Sequence, residues 1–393
     1  MPKHRTFAVL ALAVAVGLAL PAAGGAVPRA AFGDRLEERA SCLSERGRRK
    51  PAHAARGPLR GSSSSIQSHS MIHTCCTPDA DRGNLMAAAK ASGARIVRLD
   101  VEVHGIVYPS PSGYRYDFSK LDEVVALGRR HGIRILGILS GTPAGMSDCP
   151  AGTAPEAAWK CAPADPDEYA RHVVAIMEHA GDGVHAWEFW NEPDLSYMYT
   201  GSPEAYGRAL GAIHAHGAGR FRITTGGIAD LTGGLPFLRR AIAAGARFDI
   251  GNVHLRGTDL RAQAKRAANF FGDLPLWVTE HGYPSHPAPE DQLRNLRKSL
   301  PALRAGGADQ VFVTLRDIDE FGRDSPFASE GILGKPAWEL VVSINRRAKV
   351  MRRCPRRARR PYDNYFMNPS CTAKVGVCEF PNRTVTRRST EWE

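Results

Sequence analysis

From residue 65 to residue 315 the chain keeps one rhythm, in which short runs rich in β-branched and aromatic residues alternate with longer amphipathic stretches. No other feature limits the fold as tightly. Eight such runs can be counted: SIQSHSMI (65–72), RIVRLDV (95–101), IRILGIL (133–139), VHAWEFWN (184–191), RITTGGI (222–228), FDIGNVH (248–254), LWVTE (276–280) and QVFVTL (310–315). Between them lie stretches of helical period such as NLMAAAKASG, FSKLDEVVALGRRHG and EDQLRNLRKSLPALRAGG, several closing on a glycine suited to a helix C-cap. Strand and helix in strict alternation argue for βα units around a parallel sheet. Eight units in about 280 residues is the size of a TIM, or (β/α)8, barrel. A doubly wound sheet is the alternative, but no glycine-rich phosphate turn follows the first run. The expected fold is therefore α/β, a (β/α)8 barrel.

The ends of the chain read differently. Lys3, His4 and Arg5 precede an apolar run from Phe7 to Leu20 and then small residues, the pattern of a secretory signal over 1–26. That run is short for a membrane span. Residues 27–65 are rich in Arg, Ala, Gly and Ser without apolar periodicity and read as a linker. The barrel is expected over 66–345 and a basic tail over 346–393.

Charge follows the same division. The chain has a net charge of +12, yet residues 1–65 and 346–393 hold 24 of its 52 Lys+Arg and only 8 of its 40 Asp+Glu. The central region is thus slightly acidic. No aromatic residues interleave the arginines of RRAKVMRRCPRRARR, so single-stranded nucleic acid is not the expected partner. The tail reads as a solvated segment or one that contacts a wall or other anionic surface. Eight cysteines fit an oxidising compartment, and the mature protein is read as secreted. Cys149 and Cys161 bracket a short Pro/Ala/Gly loop and are the expected disulfide; the pairing of the other six stays open. No histidines or cysteines share metal-ligand spacing, so neither a metal nor an organic cofactor is expected.

Active sites of such barrels lie at the C-terminal ends of the strands. The run HAWEFW closes on Asn-Glu-Pro, and proline stops the ladder, so Asn191 and Glu192 fall at that lip. Other polar residues at strand ends are Asp100, Glu102 and His104, then His254 and Arg256, then Glu280, and finally Arg316, Asp317 and Asp319. Glu192 and Glu280 end strands that face one another across the mouth. Two carboxylates flanking a bond suit glycoside hydrolysis, one as acid and base, the other as nucleophile or activator of water. Glu188 lies further inward, and the period of two puts Glu188, Trp190 and Glu192 on one side of the strand. It reads as a barrel-interior partner of Arg98 rather than a catalyst.

Over residues 66–344 the chain resembles the clan A glycoside hydrolases, the retaining (β/α)8 enzymes that include cellulases, β-mannanases and β-xylosidases. The resemblance rests on VRLDVEVHGI with YRYDFSKLDEVV, IRILGILSGTPAG, WEFWNEPD, WVTEHGYPS and EGILGKPAWELV. It implies Glu192 as the acid/base and Glu280 as the nucleophile, with retention at the anomeric carbon. It further implies that Asn191 binds the sugar 2-hydroxyl, that Arg98 holds Glu280 ionised, and that Tyr283 and His254 line the sugar. The implied partner is an oligo- or polysaccharide. The chain departs from that pattern where tryptophans are usual, carrying Val103-His104, Gly145 and Leu315-Arg316 instead. Trp159, inside the Cys149–Cys161 loop, is the expected replacement platform at the rim, and Arg256, Arg316 and Asp317 give a charged mouth. The rival reading is a barrel at the cell surface that binds glycan without cleaving it. A structural surface protein that works through its basic tail is a second rival.

Overall fold

The computed structural model describes residues 64–67, 79–317, 325 and 327–353, with three short strands beyond them. Eight parallel strands form the barrel: β1 (Ser64–Gln67), β2 (Ile96–Glu102), β5 (Arg134–Ser140), β6 (Ala186–Asn191), β7 (Ile223–Gly227), β8 (Gly251–His254), β9 (Leu276–His281) and β10 (Gln310–Thr314). Each pairs with its neighbour in sequence around the ring, and β1 pairs with β10. The bridges Thr224 to Ile250 and Ile228 to Val253 close the remaining gap between β7 and β8. A hairpin of β3 (Val107–Ser110) and β4 (Gly113–Tyr116) stands on the loop after β2.

One helix follows each barrel strand: α1 (Asp79–Ala91), α2 (Ser119–His131), α3 (Pro166–Ala180), α4 (Pro203–Gly217), α5 (Gly234–Ala243), α6 (Leu260–Phe271), α7 (Pro289–Ala305) and α8 (Pro336–Arg353). Local chemistry sets their ends. Asp165 caps α3 by accepting from Asp167 and Glu168 backbone N–H groups, and Gly132 ends α2 in the left-handed conformation at φ 60°. Among the described residues no helix is long and apolar enough to cross a membrane.

Two layers fill the barrel interior, and the strand period of two decides what is in each. The lower layer is apolar, built from Ile96, Leu136, Ala186, Ile250, Trp277 and Phe312. Two residues further along stand Arg98, Ile138, Glu188, Asn252, Thr279 and Thr314, all buried and all but Ile138 polar. The polar layer is thus held from below by a water-excluding plug. It is the floor of the barrel mouth.

The loop after β5 contains the expected Cys149–Cys161 disulfide, with Cα atoms 5.3 Å apart. Replacing both cysteines with serine is expected to cost about 3 kcal/mol on the chain-entropy model for a loop this short. Denaturant melts under oxidising conditions read the loss, and an unchanged midpoint would show that other contacts hold the loop.

Two boundaries differ from the sequence reading. β1 opens at Ser64, inside the stretch read as linker. Helix α8 runs on to Arg353, past the boundary expected at 345, because Arg, Lys and Met are good helix formers and nothing in RRAKVMRR breaks the turn. Strands β11 (Ser370–Thr372), β12 (Val377–Phe380) and β13 (Arg383–Val385) form a small antiparallel sheet within the region read as tail. The signal, most of the linker, residues 68–72 of the first expected strand and Asp319 lie outside the described residues.

Candidate active site

Arg98 organises the mouth. Its side chain is fully buried on β2, and an unpaired guanidinium there would be very costly. Nε and Nη2 donate to the two oxygens of Glu188 at 2.7 and 2.8 Å, the bidentate fork that arginine geometry favours. Nη1 donates to Glu280 Oε1 at 2.9 Å, and Nη2 also reaches Asn191 Oδ1 at 2.7 Å. Burial works against the charge, but Glu188 and then Glu280 outweigh it, so Arg98 holds its proton more tightly than an ordinary arginine. Glu188 is equally buried and accepts a further bond from Gly227 N–H at 2.9 Å.

The end of β6 departs from a regular pleat. Trp190 and Glu192 both adopt positive φ, 69° and 45°. Such left-handed residues cost on the order of 1–3 kcal/mol each and persist where the surroundings over-determine them. Here they do. Trp190 is buried, donates from Nε1 to Met198 O at 3.0 Å and packs edge-on against Tyr199, while Glu192 N–H donates to Gly227 O at 2.9 Å. The kink corrects the expectation that Glu188, Trp190 and Glu192 share one side of the strand. Asn191 turns inward to Arg98, and Trp190 joins the core around Phe189 and Tyr199.

His254 joins the two candidate carboxylates. A register shift between Val253 and His254 brings His254 level with Glu280 on β9. Its Nδ1 donates to Glu192 Oε1 at 2.9 Å and lies 3.5 Å from Glu280 Oε2. A side chain at position 227 would place Cβ 2.1 Å from His254 Nε2, so only glycine lets the ring sit there. Glu192, His254 and Glu280 each offer an atom within 4.8 Å of the others, the one cluster of described residues with metal-ligand spacing. Two guanidinium groups compete with a dication for the oxygens of Glu280: Arg98 on Oε1 and Arg256, from the loop after β8, on Oε2 at 3.0 Å. The charge balance favours a carboxylate pair held by arginines over a metal centre.

Other expected residues have partners outside this cluster. The Tyr283 hydroxyl donates to Gly257 O at 3.2 Å and its ring packs edge-on against His281, in the wall between the loops after β8 and β9. Trp159 stacks on His104 at 5.4 Å, with Lys160 Nζ 5.3 Å from its centroid, so it belongs to the loops after β2 and β5. Asp317 is taken up by Lys335 at 2.6 and 2.8 Å and by Gly331 N–H, which removes it from the charged mouth; Arg316 is half-buried beside it.

One group escaped the sequence reading. Glu330 is 3% exposed and accepts from Arg256 Nε and Nη2, both at 3.2 Å. Burial raises its pKa, and the Arg256 charge opposes the shift. The signal was present in EGILGKPAW, but nothing local tells this glutamate from a surface residue. Tyr197, in the loop after β6, is 62% exposed, and burial first and then the charges of Glu192, Asp194 and Glu280 raise its pKa.

No family model and no curated protein matches the chain. Solved structures do. A GH39 β-xylosidase from Caulobacter crescentus aligns with a TM-score of 0.56 at 20% identity over 74% of this chain and 73% of that one. A GH39 enzyme from Xanthomonas axonopodis pv. citri aligns with 0.56 at 19% over 73% and 68%. An exo-β-1,4-mannosidase from Opitutaceae bacterium strain TAV5 aligns with 0.55 at 19% over 74% and 60%. The chain therefore shares the (β/α)8 fold of these glycosidases.

Proposed function

We propose that this chain is a secreted glycoside hydrolase that cleaves O-glycosidic bonds with retention, Glu280 being the nucleophile and Glu192 the acid and base. The observation that carries this reading is the spacing of the pair, with oxygens of Glu192 and Glu280 within 4.8 Å. Retaining enzymes place their carboxyl groups about 5–5.5 Å apart, and inverting enzymes about 6.5–9.5 Å to admit a water.

The residues divide the chemistry as follows. One oxygen of Glu280 attacks the anomeric carbon while Glu192 gives its proton to the glycosidic oxygen, and the bond between that carbon and oxygen breaks. Water then attacks the same carbon, Glu192 takes a proton from it, and Glu280 leaves as carboxylate. Arg98 keeps Glu280 ionised before the attack and again once water has released it from the ester. Asn191 Oδ1 is committed to Arg98, which can only donate, so the amide N–H groups of Asn191 are left for the sugar 2-hydroxyl. His254 fixes the Glu192 carboxylate from below. Tyr197, exposed in the loop after β6, supplies an aromatic face at the rim, the place the sequence reading had given to Trp159.

Export fits the Cys149–Cys161 disulfide and the apolar leader, and the basic tail is assigned contact with an anionic surface such as a cell wall. The second reading, a barrel that binds glycan without cleaving it, is favoured by the missing tryptophans at Val103-His104, Gly145 and Leu315. One experiment separates them. A panel of activated 2-deoxy-2-fluoro glycosides is incubated with the protein, and its peptides are mapped by mass spectrometry. A stoichiometric glycosyl adduct on Glu280 is expected. Glycan binding with no adduct and no turnover would establish the second reading, and an adduct on Glu192 would reverse the roles.

A further inference from the structure

The nucleophile assigned above is held from two sides, and the sequence pointed to only one of them. Glu280 Oε1 accepts from Arg98, and Oε2 accepts from Arg256. Arg256 is itself built in. Its Nε and Nη2 fork onto Glu330, its guanidinium carbon lies 5.0 Å from the centroid of Phe327, and its backbone carbonyl accepts from Gln263. Glu330 is fixed in turn. The buried Gln292 amide donates to the carbonyls of Tyr283, Glu330 and Gly331, stapling the loops after β9 and β10 together. Glycine at 282 admits Glu330, since a Cβ there would come within 2.7 Å of its carboxylate. An arginine held this firmly has a position to keep.

We propose that Arg256, anchored by Glu330 and Phe327, is a second cationic clamp on Glu280, a positioning residue that holds one nucleophile oxygen while Arg98 holds the other. The charge count around Glu280 gives the reason. It faces Arg98 from β2, Glu188, Asn191 and Glu192 from β6, Tyr197 from the following loop, His254 and Arg256 from β8 and its loop, and Glu330 from the loop before α8. That is three other carboxylates against two guanidinium groups, and Arg98 is already bound bidentately to Glu188. With Arg98 alone the charge of Glu280 would be under-compensated. Arg256 supplies the missing cation: burial opposes its charge, but Glu280 and then Glu330 raise its proton affinity above that of an ordinary arginine.

The inference rests on the assignment of Glu280 as nucleophile, but its test needs no turnover. Full-length protein and the variants Arg256→Met, Arg256→Lys and Glu330→Gln are treated with a water-soluble carbodiimide and an isotopically labelled amine across a pH series. The reagent couples to protonated carboxyl groups, and mass spectrometry reads labelling of the Glu280 peptide. Removing the cation is expected to move the labelling midpoint of Glu280 upward by about one pH unit or more. Glu330→Gln removes a neighbouring negative charge and leaves Arg256 to Glu280 alone, so its midpoint moves downward. Arg256→Lys falls between wild type and Arg256→Met, because an ammonium keeps the charge and loses the fork. Opposite signs in two variants of one ion pair are what a merely structural role would not produce.

An unchanged midpoint in folded Arg256→Met, or an upward shift in both Arg256→Met and Glu330→Gln, overturns the proposal. If near-ultraviolet circular dichroism shows Arg256→Met unfolded, the downward shift of Glu330→Gln decides alone. The two readings fail separately. A normal Glu280 adduct with unmoved midpoints removes the clamp and keeps the nucleophile. Shifted midpoints with no adduct keep the clamp and remove the glycosidase.

Discussion

Glu280→Gln and Glu192→Gln are each expected to lower turnover by at least about 10³-fold on any glycoside the protein cleaves. The two losses have different causes. At position 280 an amide cannot form the glycosyl ester, and its NH2 group would face the N–H donors of Arg98 and Arg256 where a carboxylate accepts from both. At position 192 the amide cannot give a proton to the leaving group or take one from water. Leaving-group quality separates them. An aryl glycoside with a good leaving group hardly needs the proton, so Glu192→Ala should form the intermediate and stall at its hydrolysis, giving a burst. Glu280→Ala should show no burst at all. Equal and modest losses in both, by stopped-flow release of the aryl group, would sink the role assignment.

Arg98→Met is expected to lose about 3–5 kcal/mol of stability, the scale for breaking a buried pair by removing one partner. The physical cause is Glu188. Both side chains are completely buried, and without the fork the carboxylate would be left with the Gly227 N–H bond and an uncompensated charge. Denaturant melts measure the loss. In whatever fraction folds, the acidic limb of the pH–rate profile should move upward, because Glu280 loses the cation on Oε1 and protonates at higher pH. Arg98→Lys should recover little, since an ammonium cannot bind Glu188 with two parallel bonds and still reach Glu280 and Asn191. Wild-type stability and pH profile in Arg98→Met would mean that the ion cluster contributes nothing, and the site would lose its floor.

Much of this was written locally. Alternation of β-rich and helical runs is set by near neighbours: seven of the eight expected strands coincide with a barrel strand to within a few residues, and the described part of the first, 65–67, lies in β1. Ile96, Val97 and Leu99 mark a buried strand, where the guanidinium of Arg98 must find carboxylates; Glu188 reads as one from its place inside the barrel, and Glu280 as the other through the resemblance. The bond lengths bear that pairing out. Cys149 and Cys161 could be paired because the loop between them is short.

What the sequence left open depends on contacts between distant residues. The positive φ angles of Trp190 and Glu192 are held by Met198, Tyr199 and Gly227, and a strict period of two could not show that Asn191, not Trp190, faces Arg98. The last turns of α8 were read as tail because an arginine run looks solvated whether it is helical or not. Arg256 and Glu330 stand 74 positions apart and meet only once α6, β9, α7 and β10 have brought the loops after β8 and β10 side by side. Periodicity therefore determined the ring and which strand ends carry charge. Which charges meet across the mouth was decided by closure of the barrel, because ion pairing needs distances of about 3 Å that no sequence separation encodes.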